Sequence, residues 1–211
     1  EALPLARRLP LASPHTAPRR PLRVGIVTTT GGGSAMVVDQ LGVRGVVVEP
    51  PSAATLRRLA EAGLPATPGR VLDLTLAGTR YEVMKRALDI LLAAPEFDLV
   101  VTVVGSSARF QPQLAVQPIL DHAGHARPLA AMLVPDAPQA LAALTSAGVP
   151  CFRSPETCAD AIAAIAARRT PGPAAQLPRR DAGTLPRPSS EAQAYEVLDA
   201  IGVPHAAAQV V

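Results

Sequence analysis

The chain has 211 residues, 48% of them hydrophobic, which is enough for one sizeable core and a remnant. Its longest apolar runs, such as Leu99 to Val104, fall far short of the ~20 residues of a membrane helix, and no apolar signal-peptide core stands near the start, so a soluble cytoplasmic protein is expected. Twenty basic residues against 17 acidic ones give a net charge of +3. The arginine pairs Arg7-Arg8, Arg19-Arg20 and Arg179-Arg180 sit in proline-rich stretches without interleaved aromatics, which argues against nucleic-acid binding. Cys151 and Cys158, with no further sulfur ligand nearby, support neither a disulfide framework nor a zinc site and read as buried or idle thiols.

Residues 1–21 carry Pro4, Pro10, Pro14, Pro18 and Pro21, and residues 170–188 carry Pro171, Pro173, Pro178, Pro186 and Pro188. Proline at this density predicts two extended linkers flanking one domain over residues 22–169. Within the domain the apolar runs Leu22 to Thr28, Gly45 to Glu49, Leu99 to Val104, Leu129 to Val134 and Val149 to Phe152 are too short for helices and lack polar alternation. They predict about five strands buried on both faces.

Helix signals alternate with these runs. Ser52 opens a helix closed by Gly63, Thr79 with Glu82 reads as a capping box, Asp136 with Gln139 opens a helix ending at Gly148, and Ser154-Pro155 opens another. Strand and helix in alternation predict an α/β fold, a doubly wound parallel sheet with helices on both faces. After the second linker, Ser190 with Gln193 caps one amphipathic helix that cannot bury a core alone, so residues 189–211 read as the first element of a further domain.

Ligands of a doubly wound sheet bind beyond the carboxyl ends of its strands. Two loops stand out there. Thr29, Thr30, Gly31, Gly32, Gly33 and Ser34 form a turn after the first strand whose glycines let backbone amides approach an anion, whose hydroxyls can donate, and whose helix adds its positive end. Gly105, Ser106 and Ser107 have the same small, hydroxylic character after the third strand. Together they form a candidate phosphate cradle, although the first loop equally suits a plain tight turn with an N-cap serine.

The turn is neither a Walker loop, since no Gly-Lys-Ser/Thr follows, nor a dinucleotide fingerprint, since the Gly-x-Gly-x-x-Gly spacing fails after Gly33. Among flavodoxin-like alternatives, FMN lacks stacking partners in a chain with no tryptophan and only Tyr81 and Tyr195, and a phospho-receiver lacks its acidic residues at Thr28 to Thr30 and at Gly105. Asp121, His122 and His125 read as a solvated loop rather than a metal site, His15 and His205 lie in a linker and the tail, and Asp73 reads as a loop brace. No nucleophile, base and orienting acid fall together, so no catalytic residue is assigned.

Several stretches, in order, resemble the ADP-forming acyl-CoA synthetase family, which includes acetate-CoA ligases and is related to succinyl-CoA synthetase. They are Arg23-Val24-Gly25-Ile26-Val27-Thr28 with its glycine turn, Val71-Leu72-Asp73-Leu74-Thr75, Pro95-Glu96-Phe97-Asp98-Leu99-Val100, Ala147 to Glu156, and Ser190-Glu191-Ala192 leading to Ile201-Gly202-Val203-Pro204. The resemblance implies the second flavodoxin-like ligase domain followed by the opening helix of an ATP-grasp domain. It further implies a reaction of ATP, CoA and a carboxylic acid to ADP, phosphate and acyl-CoA by way of a phosphohistidine. The chain alone would be inactive and bind no cofactor by itself.

In the family the catalytic histidine belongs to the first ligase domain, and ATP, Mg and CoA serve the complete enzyme. The partners implied are a CoA-binding domain, the histidine-bearing ligase domain and the ATP-grasp domain, with no nucleic acid or membrane. Carried onto this chain, the role of holding the phosphohistidine phosphate falls on Gly31, Gly32, Gly33 and Ser34, with Thr29 and Thr30 as hydroxyl donors. Family members often have proline or another residue within this turn, where this chain has three glycines. A ligase-like module fused to another effector, such as an acetyltransferase, and sensing CoA or nucleotide is the alternative.

Overall fold

The computed structural model describes residues 2–9, 21–169 and 187–207. Two compact units divide between Thr170 and Pro171. The first unit is built on one all-parallel sheet. Its strands are β1 (Arg23–Thr28), β2 (Val47–Val48), β3 (Val71–Asp73), β4 (Leu99–Val104), β5 (Leu129–Leu133) and β6 (Cys151–Phe152). The path runs β2-β1-β4-β5-β6. β4 pairs one edge of β1 from Val24 to Thr28, while β2 takes Arg23 and Val24 and β3 takes Ile26 to Thr28 on the other edge. Six strand segments therefore fill five positions, the outer one shared by two short pieces in series.

Among the described residues this unit has the α-helices α1 (Ala2–Arg8), before β1, and α2 (Gly31–Val43), α3 (Ala53–Glu61), α4 (Tyr81–Leu92), α5 (Ser107–Phe110), α6 (Pro112–Asp121), α7 (Pro138–Ser146) and α8 (Pro155–Ala167) between and after the strands. Apolar residues of α1, α2 and α8 pack with Val24, Ile26, Val101 and Met132 on one face of the sheet. Those of α3 to α7 pack with Val27, Val100, Val104 and Leu133 on the other. This is a flavodoxin-like doubly wound α/β fold. The chain leaves β1 toward one face and β4, its neighbour, toward the other, so the switch point where loops diverge lies between Thr29 and Gly105.

Several local features differ from what the residues predict. Ala2–Arg8, within the expected N-terminal linker, is a helix, and its Leu5 and the following Leu9 are buried. Pro4 falls in its first turn, where an absent N–H costs nothing, and the apolar 5/9 spacing closes the sheet face beside α8. Residues 1 and 10–20 of that linker and residues 170–186 of the second lie outside the described residues.

Thr79 and Glu82 form no capping box: α4 starts after Arg80, and Thr79 Oγ1 donates instead to Leu76 O at 2.7 Å, inside a 3-10 turn over Thr75–Thr79. Asp136 does not cap α7, which begins at Pro138 behind Ala137. Ser52 and Ser154 do cap, each accepting the amide three residues on, and Gly63 and Gly148 end α3 and α7 at φ +70.

His122 is not in a solvated loop. It caps the C-terminus of α6, is 7% exposed, faces Pro118 O with Nδ1 at 2.6 Å, and faces Asp89 Oδ1 on α4 with Nε2 at 2.8 Å. Its spacing to Pro118 along the helix, hidden by the nearby Gly124 and Pro128, makes it an interior hydrogen-bonding residue.

The second unit holds α9 (Glu191–Ala200), with Ser190 Oγ accepting Gln193 N at 3.3 Å and no helix residue buried. Tyr195 stacks on His205 at 4.4 Å, and His205 Nε2 faces Asp199 Oδ1 at 2.9 Å. The Ala206 carbonyl and then Asp199 hold the His205 imidazolium above its usual range. No helix among the described residues is long and apolar enough to cross a membrane.

Candidate functional site

β1 ends in a threonine because the turn beyond it needs a latch. Thr28 Oγ1 accepts Thr30 N at 2.9 Å and stands 3.0 Å from Val103 O, while Thr29 N donates to Val103 O at 3.1 Å. The latch fixes the turn against β4, and Thr30 becomes the extended residue before α2. Thr28 opens the turn as the sequence suggests, but its hydroxyl is engaged within the turn.

α2 opens with Gly31, Gly32 and Gly33, and Thr30 provides no side-chain cap, so the first-turn amides point outward without acceptors from their own helix. The glycines differ. A Cβ on Gly33 would stand 2.7 Å from Val134 Cγ1 and 2.9 Å from Thr30 Cγ2, so glycine is demanded by packing there. A Cβ on Gly32 would meet nothing within 4 Å, and the residue is exposed. Ser34 is neither the N-cap nor a free donor. It is 4% exposed, one turn into the helix, and its hydroxyl donates to Gly31 O at 2.8 Å.

The second loop meets the first directly. Gly105 N donates to Thr29 Oγ1 at 3.0 Å, and a Cβ on Gly105 would stand a tight 3.1 Å from Thr30 Cβ, so a side chain there would push the loops slightly apart. Thr29, Gly105, Ser106 and Ser107 line one cleft of about 250 Å³, and Thr79 and Gln111 add polar groups to it. Leu76 and Phe110, 83% and 77% exposed, form its apolar rim. Ser107 Oγ is buried and has no hydrogen-bond partner. The open glycines of α2 do not line this cleft, so the structure sets amide and hydroxyl groups side by side rather than in a single pocket.

No charged side chain lines the cleft. Asp73 ends β3 beside Thr28; its Oδ1 accepts Thr75 N at 2.8 Å, and its Oδ2 lies 3.4 Å from where a Gly31 Cβ would be. This brace holds Thr75 at φ +49, an uncommon left-handed conformation for a β-branched residue, of a kind that costs about 1–3 kcal/mol.

Away from these loops, the other candidates serve the fold. Asp121 accepts from Tyr81 at 2.5 Å and from Gln117 at 2.8 Å, His125 Nδ1 accepts Arg127 N at 3.0 Å, and burial lifts the Cys158 thiol to about 12. Among the described residues no three His, Cys, Asp or Glu side chains are grouped to hold a metal ion.

No family model and no curated protein matches the chain. Solved structures share its fold. The Pyrococcus horikoshii OT3 protein PH0766 is 23% identical at TM-score 0.63, covering 76% of this chain and 37% of that one. The dinucleotide forming acetyl-coenzyme A synthetase 1 of Ca. Korarchaeum cryptofilum is 17% identical. Its apo form gives a TM-score of 0.56 over 75% of this chain and 34% of that one. Its complex with phosphate and ADP gives 0.55 over 68% and 32%. At these identities the likeness is one of fold. This chain spans about a third of the length of each of those chains.

Proposed function

We propose that this chain is a ligase domain of an ADP-forming acyl-CoA synthetase, and that the N-terminus of α2 holds a phosphoryl group carried by a histidine of another domain. The observation that supports the reading most is the start of α2 at the switch point, which has no side-chain cap and where Gly31 and Gly32 are exposed. Backbone N–H groups and the helix dipole stabilise phosphoryl charge without proton transfer. The Thr29 hydroxyl and the Gly105 loop keep this turn rigid, so the donors need no rearrangement when charge arrives.

Such a domain contributes no acid, base or metal ligand. In this reading the chemistry of ATP and Mg belongs to an ATP-grasp domain. A CoA-binding domain and a histidine-bearing ligase domain complete the reading. The histidine exchanges its phosphoryl group with a carboxylic acid, and CoA then displaces phosphate from the acyl phosphate.

The test is to add a phosphorylated histidine-bearing ligase domain to ¹⁵N-labelled chain. The amide signals of Gly31 and Gly32 shift with the phosphorylated domain and stay in place with its unphosphorylated form. Shifts identical with both forms overturn the reading. Shifts produced by CoA alone favour a ligand-sensing module instead.

A further inference from the structure

The cleft beside the glycine turn has a make-up that holding a phosphoryl group does not use. Leu76, on the 3-10 turn before α4, and Phe110, at the end of α5, come from separate segments, yet both stand on its rim with most of their surface in solvent. Exposed apolar side chains scattered singly are ordinary; two of them rimming one cleft mark a ligand surface. Both are held in place: Thr79 Oγ1 donates to Leu76 O at 2.7 Å within its turn, and Phe110 N donates to Ser106 O at 3.2 Å. Beneath the rim, Ser107 Oγ is buried and has no hydrogen-bond partner among the described residues. A buried hydroxyl left over in this way is rare in a folded protein and calls for a ligand or a water. The volume of about 250 Å³ falls below the roughly 300 Å³ at which pockets for drug-sized ligands begin, so the cleft suits a molecule smaller than a nucleotide. It also equals about eight waters' share of liquid volume at ~30 Å³ each, far more than a two-carbon acid displaces.

We infer that this cleft takes the carboxylic acid of the reaction, and that Leu76 and Phe110 select acids with a bulky apolar tail, aromatic or branched, over acetate. The inference rests on the phosphoryl-holding reading above, which leaves the acid without a site once ATP and CoA are assigned to other domains. Thr29 belongs to both the turn and the cleft, so a carboxylate at the hydroxyl-lined inner end stands beside the phosphoryl group at α2, with its tail toward the rim. There a carboxylate oxygen forms the bond to phosphorus as the P–N bond to the histidine breaks and its electron pair returns to the imidazole, and no group of this chain has to move a proton. The Ser107 hydroxyl donates to the carboxylate. No charged side chain lines the cleft, so affinity comes from hydroxyls and tail, and the tail discriminates between acids.

The experiment titrates phenylacetate, acetate and the uncharged phenylacetamide into the ¹⁵N-labelled 211-residue chain and reads the Gly105, Ser106 and Ser107 amides. Phenylacetate binds about tenfold or more tightly than acetate, and more tightly than phenylacetamide, because hydrogen bonds to an ionised acceptor are the stronger. Leu76 and Phe110 are exposed, so Leu76→Ala and Phe110→Ala take nothing from the core, and each cuts the preference for phenylacetate about threefold. Ser107→Ala weakens phenylacetate binding about fivefold. Equal binding of acetate and phenylacetate, or a preference that survives both rim substitutions together, overturns the selection by Leu76 and Phe110. Phenylacetamide binding as tightly as phenylacetate overturns the assignment to an acid, and no response of these amides to any of the compounds overturns the cleft as a ligand site. The phosphoryl-holding reading fails separately, at Gly31 and Gly32 with the phosphorylated domain.

Discussion

The two ends of the sheet treat their polar groups in opposite ways. At the amino end of the strands, arginines tie segments together. Arg23 donates to Asp98 through its backbone N at 3.0 Å and to Pro95 O at 2.9 Å, Arg127 donates to Ala94 O and Phe97 O, and Arg8 donates to His125 O. Arg168 donates to Ala6 O at 2.6 Å and to Leu9 O at 2.9 Å, which clamps α1 onto the domain. Burial holds the Arg8 and Arg127 guanidiniums below their usual range, as befits structural rather than solvated cations. At the carboxyl end, among the described residues, α2 starts without a side-chain cap, the buried Ser107 hydroxyl has no partner, and no arginine or lysine lines the cleft. One end is tied by arginines, while the other leaves a helix start without a side-chain cap near a polar cleft.

The contrast is broken most severely at the amino end. Leu5→Ala removes a fully buried side chain from the α1 seal and lowers stability by about 2–5 kcal/mol, read from urea unfolding. If α1 were a dispensable linker, the unfolding midpoint would not move.

At the carboxyl end the glycines sharpen the same contrast. Gly33→Val drives a side chain into Val134 and Thr30 and costs about 1–3 kcal/mol, whereas Gly32→Ala, one residue earlier, enters open space and is neutral to slightly stabilising. Equal losses at both positions would show that the turn is packed throughout.

A smaller effect belongs to Glu96, whose Oε1 accepts Ser52 N and Thr55 Oγ1, both at 2.7 Å, at the start of α3. Burial works to raise its pKa, but the hydrogen bonds from Ser52 and Thr55 win and hold it below the usual 4.5. A carboxyl depressed by folding contributes stability above its ordinary value and loses it as pH falls through the folded value. Glu96→Gln therefore lowers stability by about 1 kcal/mol at neutral pH and flattens the loss of stability below pH ~4.5. Parallel stability curves for the two proteins down to pH ~3 would contradict this.

Much of the architecture was legible because strands buried on both faces announce themselves as continuous apolar runs. Leu99 to Val104 reads as β4 without adjustment. β3 was not legible, since three residues ending in Asp73 carry too little pattern, and it exists only because β1 offers an unpaired edge beyond β2. α1 was hidden by Pro4 and by the prolines that follow it, because a proline's harm depends on its position within a helix rather than on number. The two loops were legible from their glycines and hydroxyls. Their chemistry was legible only in part: residue type cannot show that Gly32 is open and Gly33 filled, that Ser34 faces inward, or that Asp73 reaches Gly31. All four depend on which neighbours the sheet register delivers.

The central claim is that the start of α2, at the exposed Gly32, holds a phosphoryl group. It is tested most directly by Gly32→Trp in a complete ligase carrying this domain, with acyl-CoA formation from ATP, CoA and a carboxylic acid as the readout. The indole occupies open space, so the unfolding midpoint holds while acyl-CoA formation falls about tenfold or more. Full activity in a folded Gly32→Trp protein would contradict the claim.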